Sequence, residues 1–472
     1  MRGRSQLVAA ILVAAIAVGA GAVLQQGVGT KAFAGPPPLI APSGAWFCPH
    51  GGGTGWRDTL EVANPGDSPV RIRVTRLTEA RPGSPRVYTV GPGAELLLPG
   101  RSDSRAASST IEYFGGWVAA AWVSRAGGDE GGVAAEPCSP TAGRRWFLPD
   151  GSTRLAEDAT AGRPPPTLDS WVVVMNPFAA DAVLSLVLYT DHDPPVRVGA
   201  WTNIVLKPFH SRAFYLNDQR LGYSTVATSV EAKIGRVVAS SLDVSAIGGA
   251  RAALGELAPV PPDAVLPGGF DQGRSELVVM NPTSAQVQTT GTVLGRSDPR
   301  RLETPDEGRA DPESAQTFPL TTEGPTSVDV RLPTGAAVVR RTYGQSSDQA
   351  ATGPGVPARR WVILPAIGGK PSHAGAVVAN PGPQAIDIHL SYLPSGTDPA
   401  PEPITMHVPG MRAVAVPSAF VEERPMAAIL AVASDGAFVP VAASYSLGRD
   451  GLAGYAVSRG VPIPEGWVPA TR

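Results

Sequence analysis

The two cysteines, Cys48 and Cys138, are the residues whose type and spacing point most directly to a defined chemistry. Each borders a short apolar run, and the two lie near opposite ends of residues 43–143, which the sequence pattern predicts to be one domain. An even pair of cysteines in an exported domain is typical of a structural disulfide. The sequence therefore predicts a disulfide between Cys48 and Cys138, with two free thiols as the alternative.

Three other motifs carry residue types that are used in catalysis or metal binding. His50-Gly51-Gly52-Gly53 is similar to the oxyanion-hole segment of lipases, but the G-x-S-x-G segment that such an enzyme needs is missing. Asp191-His192-Asp193 offers metal-ligand types, yet three adjacent residues of a strand cannot all converge on one ion. Asp129-Glu130 lies between glycine pairs, which favours a solvated loop. The chain also lacks P-loop, C-x-x-C and H-E-x-x-H motifs, so we expect no catalytic residue, no cofactor and no metal.

Aromatic and basic residues could form surfaces that bind sugars or nucleic acids. Trp117, Trp122 and Trp201 could stack on sugar rings, but their apolar neighbours favour positions in a hydrophobic core. The formal net charge is -2, and the arginines are scattered along the chain. Neither feature provides a basic stripe, so we expect no nucleic-acid partner.

The N-terminus indicates export. Arg2 and Arg4 precede the uncharged apolar segment Leu7–Leu24, which is long enough to span a bilayer. We therefore expect residues 1–35 to form a membrane-spanning signal anchor with the two arginines in the cytoplasm. A signal peptide cleaved after Ala34, which would release a secreted protein, is the alternative.

A fourfold internal repeat organises the rest of the chain. Each copy contains a short strand that ends in proline, then an Asn-Pro pair, then an alternating apolar run, then two apolar runs around a glycine. Four landmarks in one order indicate tandem domains. After a proline-rich spacer at 36–42, we predict repeats 1 to 4 at 43–143, 144–261, 262–358 and 359–469. The Asn-Pro pairs are Asn64-Pro65, Asn176-Pro177, Asn281-Pro282 and Asn380-Pro381.

The landmarks are typical of β structure. Apolar residues alternate with polar ones from Arg71 to Leu77, as in a strand with one solvated face. Asn-Pro should end a strand, because proline cannot donate to the sheet and the asparagine side chain can bond loop backbone. The segments Ser109–Ser124 and Thr326–Tyr343 are predicted as hairpins that turn at Gly115-Gly116 and Gly335. Together they predict an all-β protein of four immunoglobulin-like β-sandwiches, with a propeller of two blades per repeat as the alternative.

The landmark order W-[FV]-x-P, then N-P, then S-R resembles a repeat family of exported actinobacterial proteins of unknown function. Trp146-Phe147-Leu148-Pro149, Met175-Asn176-Pro177 and Ser211-Arg212 match it best, whereas the third repeat lacks both the tryptophan and Ser-Arg. The resemblance extends over roughly 46–447. It implies an exported series of β-sandwiches and supplies no catalytic residue.

These observations favour a non-enzymatic structural or binding scaffold of the cell envelope. Rigid sandwiches would space and present loops, where binding residues usually lie. Besides the membrane, which the N-terminal helix would enter, the partner could be another envelope protein or a glycan. The alternative is an envelope-acting hydrolase or transferase with its site between repeats.

Overall fold

The computed structural model describes residues 43–127, 130–154, 168–245, 249–271, 274–304, 308–322, 324–343, 349–365, 372–396, 400–417, 420, 427–446, 454–467 and 469. The predicted anchor and spacer lie outside these residues, as does Asp129. Within them, no helix has the length and apolar character needed to cross a membrane.

Repeat 1 forms a β-sandwich of two antiparallel four-stranded sheets. The outer sheet has the order β1-β6-β3-β4, and the inner sheet has the order β5-β2-β7-β8. Buried side chains of both sheets, such as Trp46, Leu60 and Ile72, meet in the core between them. The strands are β1 (Gly44–Cys48), β2 (Arg57–Asn64), β3 (Val70–Leu77), β4 (Arg86–Val90), β5 (Ala94–Arg101), β6 (Ser108–Phe114), β7 (Ala119–Arg125) and β8 (Val133–Pro137).

Repeat 2 has the same inner and outer sheets with short additions. Its strands are β9 (Arg145–Leu148), β10 (Leu168–Asn176), β11 (Ala182–Thr190), β12 (Val196–Arg197), β13 (Ile204–Leu206), β14 (His210–Tyr215), β15 (Val226–Ile234), β16 (Val238–Ser245), β17 (Gly249–Leu254) and β18 (Glu256–Leu257), with a 3₁₀ turn at Gly199–Trp201. The inner order is β14-β10-β16-β17, and the outer order is β12-β11-β15-β9-β18 with β13 on β11.

Repeats 3 and 4 repeat this plan. The third contains β19 (Asp263–Asp271), β20 (Arg274–Asn281), β21 (Val287–Gln288), β22 (Thr290–Leu294), β23 (Arg300–Arg301), β24 (Arg309–Ala310), β25 (Ser314–Thr321), β26 (Gly324–Arg331), β27 (Ala337–Tyr343) and β28 (Gln349–Thr352). The fourth contains β29 (Arg360–Ile363), β30 (Ser372–Asn380), β31 (Ile386–Leu393), β32 (Ile404–Val408), β33 (Arg412–Ala415), β34 (Ala428–Ala433), β35 (Val439–Ser446), β36 (Gly454–Arg459) and β37 (Val461–Pro462). In repeat 3 the inner sheet has the order β25-β20-β27-β28 and the outer sheet has the order β19-β26-β22-β23, while β21 and β24 form a separate pair. In repeat 4 the inner order is β33-β30-β35-β36 and the outer order is β32-β31-β34-β29-β37.

The prediction of an all-β fold built from sandwiches is therefore confirmed, and every sheet takes its strands from one repeat. In repeat 1, β2 pairs with β5 and β3 pairs with β6, as strands B with E and C with F do in an immunoglobulin domain. The first strand, β1, pairs with β6 rather than with β2. The seventh strand, β7, pairs with β2 rather than with β6, so the immunoglobulin-like pairing is limited to β2 with β5 and β3 with β6.

The two predicted hairpins, Ser109–Ser124 and Thr326–Tyr343, are wrong. Their paired runs are β6 with β7 and β26 with β27, and each pair is divided between the outer and the inner sheet. The glycine turn is therefore a corner at which the chain crosses the sandwich. Gly115 and Gly335 have φ of 99° and 94°, which favours glycine at either kind of turn. The sequence pattern of a hairpin and that of a corner are the same, so alternation could not distinguish them.

The strands β8, β17, β28 and β36 form the centre of the molecule. Each is the edge strand of its inner sheet, and β8 lies against β17, β17 against β28, β28 against β36 and β36 against β8. The four repeats therefore close into a ring around an axis. A propeller with two blades per repeat would bring two strands of each repeat to this axis, whereas the described part of each repeat contributes one.

Three of the four junctions between repeats share one hydrogen bond, including the junction that closes the ring. At each of these junctions, the backbone amide of the second residue of an inner strand donates to the carbonyl of the residue that follows an outer strand of the adjacent repeat. The donor strands are β5, β14 and β33, and the acceptors follow β31, β3 and β22, respectively. The bonds are Glu95 N to Pro394 O at 3.0 Å, Ser211 N to Thr78 O at 3.2 Å and Ala413 N to Gly295 O at 3.2 Å. Repeat 1 thus packs on repeat 4 as repeat 2 packs on repeat 1.

Small side chains allow the central strands to approach one another. Ala134 and Ala135 of β8 and Ala350 and Ala351 of β28 are all buried at the axis. Beside β8, a Cβ on Gly132 would lie 2.3 Å from the backbone nitrogen of Ala250 in β17. Larger residues at these positions would hold the sheets apart, so the alanine-rich edges are a condition for closing the ring.

Candidate functional site

The predicted disulfide between Cys48 and Cys138 is present. The two Cα atoms are 4.5 Å apart, and both residues are buried. The bond joins the end of β1 in the outer sheet to the residue that follows β8 at the axis. Such a bond indicates an oxidising, extracytoplasmic environment.

Removing this disulfide should destabilise the protein by about 3 kcal/mol, because the bond closes a long loop in the unfolded chain. The change is Cys48→Ser with Cys138→Ser, and the measurement is the urea-induced unfolding of the oxidised wild type and of the variant. Reduced wild type should behave like the double variant. A variant that unfolds at the same urea concentration as the oxidised wild type would contradict the prediction.

The asparagines of the four Asn-Pro pairs, Asn64, Asn176, Asn281 and Asn380, are buried hydrogen-bonding centres. Each ends the central strand of an inner sheet, and its Nδ2 donates to three backbone carbonyls while its Oδ1 accepts an amide two residues later. For Asn281 the carbonyls are those of Ala285, Ala310 and Asp311, at 2.8, 3.2 and 2.7 Å. The equivalent acceptors are Ser68, Val90 and Gly91 for Asn64, Ala180, Leu206 and Lys207 for Asn176, and Gln384, Val408 and Pro409 for Asn380.

The prolines Pro65, Pro177, Pro282 and Pro381 follow these asparagines directly. Each comes at the point where the inner strand has ended, so the missing amide costs the sheet no hydrogen bond. The Asn-Pro pair therefore ends the strand and fixes the crossing to the outer sheet. Its role is structural.

His50 is almost fully buried at the wall of a pocket of about 400 Å³ in repeat 1, and its ring is held in a hydrogen-bond network. Its Nδ1 is 2.8 Å from the Gly51 carbonyl, and its Nε2 is 3.0 Å from the Ser109 hydroxyl. Burial lowers the pKa of His50, so the ring is neutral at pH 7. Ser109 is fully buried. The pair has the composition of a serine–histidine dyad, but a substrate could not reach the hydroxyl.

The glycines after His50 serve the contact between repeats. A Cβ on Gly51 would lie 2.6 Å from Leu242 Cδ2 of repeat 2, and one on Gly52 would lie 2.2 Å from the Ser102 carbonyl. Nearby, the Ser240 hydroxyl of repeat 2 donates to the Pro49 carbonyl. The segment His50–Gly53, which is similar in sequence to an oxyanion-hole segment, is therefore a packing surface.

Asp191 and His192 lie in contact, with His192 Nε2 3.4 Å from the Asp191 carboxylate. His192 is largely exposed, while the Asp191 carboxylate accepts from the Ser224 hydroxyl. Among the described residues, no three His, Cys, Asp or Glu side chains are grouped as metal ligands. The three tryptophans considered for sugar stacking are buried core residues: Trp117, Trp122 and Trp201.

A buried network of four charged side chains joins repeats 2 and 3. Asp150 accepts from Arg251 Nε at 2.9 Å and from Arg341 Nε at 2.6 Å, and Arg251 also donates to Asp243. All four residues are at most 2% exposed. Burial alone would raise the pKa of Asp150, but the charges of Arg251 and Arg341 outweigh it and hold this pKa below its usual value. The network is therefore charged and internally neutralised.

A pocket opens at one end of the ring axis, where the central strands end. It has a volume of about 180 Å³ and is lined by residues of all four repeats. Its charged side chains are Glu256 and Arg459. Glu256 Oε1 accepts from the Val338 amide at 2.7 Å, whereas its buried Oε2 has no hydrogen-bond partner among the described residues.

Burial raises the pKa of the acidic groups near this pocket. It raises the pKa of Glu256 to about 8, against a smaller opposite effect of the Val338 amide and Arg459. Burial likewise raises the pKa of Glu136 well above its usual value, although Arg459 opposes this shift. At neutral pH Glu256 is therefore protonated, whereas the Arg459 guanidinium is charged.

Glu256 should make the protein less stable as the pH rises. Its pKa is about 8 in the folded state, above the ordinary glutamate value, so the folded chain holds the proton more tightly. The stabilising effect of that proton is complete below about pH 4.5 and is lost as the pH rises to about 8. Relative to Glu256→Gln, we expect the wild type to lose on the order of 2 kcal/mol of unfolding free energy between pH 5 and pH 8.

Urea unfolding at both pH values measures this difference. Glu231→Gln, which changes an exposed glutamate on β15 of the same repeat, should show the wild-type pH dependence. Identical pH profiles for the wild type and Glu256→Gln would contradict the prediction.

The buried ionisable side chains were not predicted from the sequence. Glu136, Arg251 and Arg341 each interrupt an apolar run rich in alanine or valine, as in VAAEP, GARAAL and AVVRRTY. A charge inside such a run signals a buried partner, because an unpaired buried charge is costly. The signal does not identify the partner, which lies in another repeat for Arg341.

Comparison with known sequences places the chain in a family. Residues 106–360, from just before β6 to the start of β29, match a family described as a family of unknown function (DUF5719). No curated protein is similar to the chain. The family description names no activity and no ligand. Because the match covers more than half of the 472 residues, the chain belongs to the family of unknown function DUF5719.

Proposed function

We propose that the chain is a non-enzymatic scaffold or binding protein of the cell envelope, held at the membrane by Leu7–Leu24 or secreted after cleavage. The closed ring of four sandwiches carries this proposal. Because the last repeat packs on the first, contacts on both sides hold each repeat in place, and the ring can present loops of all four repeats together. The disulfide supports a location outside the cytoplasm.

The placement of the reactive groups also supports a scaffold. His50 is bonded at both nitrogens, and the charges of the network around Asp150 neutralise one another in the interior. These groups stabilise contacts between strands and between repeats, whereas a catalytic group would have to contact a substrate.

Crosslinking in living cells, followed by mass spectrometry, tests this function. Lys207 and Lys233 are exposed on repeat 2, so an amine-reactive reagent should join them to envelope components. The matched control carries Lys207→Arg and Lys233→Arg, which keeps the charges and removes the reactive amines. Exclusive capture of cytoplasmic proteins would contradict the proposed location. Turnover of a wall glycan or peptide by the purified chain, abolished by His50→Gln or Glu256→Gln, would favour the envelope-acting enzyme instead.

A further inference from the structure

The pocket at the ring axis is built by the ends of the four central strands. Leu254 ends β17 and Arg459 ends β36, while Ser139 and Gly353 follow β8 and β28 closely. Since each repeat supplies part of the wall, the pocket exists only when the ring is closed. Ligand sites are frequently found at such interfaces between domains.

The walls of the pocket are mainly apolar. Trp146, Leu254 and Leu257 face it from repeat 2, and Val356 from repeat 3 is an apolar side chain left 55% exposed. Three prolines complete the wall: Pro140, Pro261 and Pro354. A volume of about 180 Å³ equals the space of about six water molecules in the liquid, so it suits a group the size of one amino-acid residue.

Arg459 gives this apolar pocket a positive charge. The residue is half-buried, and its guanidinium donates to the Pro354 carbonyl. Burial raises the pKa of Glu256, the acidic residue that lines the pocket, to about 8, so Glu256 does not neutralise the arginine at pH 7. A guanidinium beside low-polarity walls attracts anions more strongly than one in water, and its planar fork suits a carboxylate.

We propose that this pocket binds a small carboxylate that carries an apolar group, with the carboxylate on Arg459 and the apolar group against Trp146 and Leu254. Two sources share this chemistry: a free short-chain carboxylic acid and the C-terminal residue of a peptide. The inference rests on the proposed function, because it gives the binding protein a class of ligand.

Titration calorimetry with the full chain tests the proposal with defined probes. The first is an N-acetylated tripeptide that ends in a valine carboxylate, the second is the same peptide as the C-terminal amide, and the third is isovalerate. The peptide acid should bind at least about tenfold more tightly than its amide, since the amide loses the charge-assisted bonds. Tighter binding of isovalerate than of the peptide acid would assign the free acid as the source, and the reverse order would assign the peptide terminus.

Two variants make the test specific. Arg459→Gln should weaken binding of the acid by about tenfold or more. Arg360→Gln should leave binding unchanged, because Arg360 is also a half-buried arginine of repeat 4 that donates to a carbonyl, that of Trp467, but it does not line the pocket. The comparison of acid and amide needs only the wild type, so it decides the matter even if Arg459→Gln does not fold.

Equal affinities for the acid and the amide, absence of binding, or full affinity in a folded Arg459→Gln variant would overturn the proposal and leave the scaffold function standing. Cleavage of the bound peptide would instead contradict the non-enzymatic function while supporting the pocket.

Discussion

Arg341→Met should destabilise the protein by about 3–5 kcal/mol, the largest effect expected of a single substitution. Arg341 crosses from repeat 3 into repeat 2, where its Nε bonds Asp150 at 2.6 Å and its Nη2 bonds the Gly151 carbonyl at 2.8 Å. Methionine fills most of the volume but leaves Asp150 with one cation and removes one of the two hydrogen bonds to the Gly151 carbonyl, the other being from the Val226 amide. The free energy of unfolding in urea at pH 7 measures the loss.

Hydrogen exchange can show where this loss acts. The amides of 143–154 in repeat 2 should exchange faster in Arg341→Met than in the wild type, because the junction with repeat 3 loosens. Arg331→Met is the matched control: Arg331 lies in the same repeat, pairs with Asp263 at 3.3 Å and is 82% exposed at the side chain. Arg331→Met should change the free energy of unfolding by no more than about 0.5 kcal/mol.

A double-mutant cycle separates the ion pair from the loss of packing. When Asp150→Asn is combined with Arg341→Met, the uncompensated charge disappears. The loss of unfolding free energy in the double variant should therefore be about 2 kcal/mol smaller than the sum of the losses in the two single variants. Strict additivity would mean that Arg341 acts through packing alone. A cost below about 1 kcal/mol for Arg341→Met would contradict a structural role for the network.

Local features of this fold could be predicted from the sequence, and long-range ones could not. The role of Asn281 was accessible because its side chain bonds a carbonyl four residues away and its proline limits the strand. The disulfide between Cys48 and Cys138 was accessible because the chain offers one pairing. Both inferences depend on residue type and on contacts within one repeat.

Ring closure depends on contacts that no repeat pattern specifies. The amide of Ala428 donates to the Glu95 carboxylate across 333 positions of sequence. Alternation along β5 gives the face of the sheet on which a side chain lies. It does not indicate whether β5 packs against repeat 2 or against repeat 4. The pocket at Glu256 and Arg459 was hidden for the same reason, since its wall is complete only after closure.

Asn281→Asp should destabilise the protein by about 4 kcal/mol at pH 7, although it changes one amide nitrogen to oxygen. The Asn281 hydrogen bonds to the carbonyls of Ala285, Ala310 and Asp311 would be lost, and a buried negative charge would face these oxygens. The introduced carboxyl should have a raised pKa, so the cost should shrink as the pH falls towards 4. Urea unfolding at pH 7 and at pH 4 measures both effects.

Asn203→Asp is the matched control, because Asn203 is an exposed asparagine whose Oδ1 accepts from Lys233 Nζ at 2.7 Å. An aspartate there keeps that contact, and its effect should lie within about 0.5 kcal/mol. The same change at Asn64, Asn176 or Asn380 should cost as much as at Asn281, because a closed ring has no terminal repeat that can fray separately. Costs that decline from the inner repeats to the first and the last would indicate an open array in solution, and they would contradict the ring.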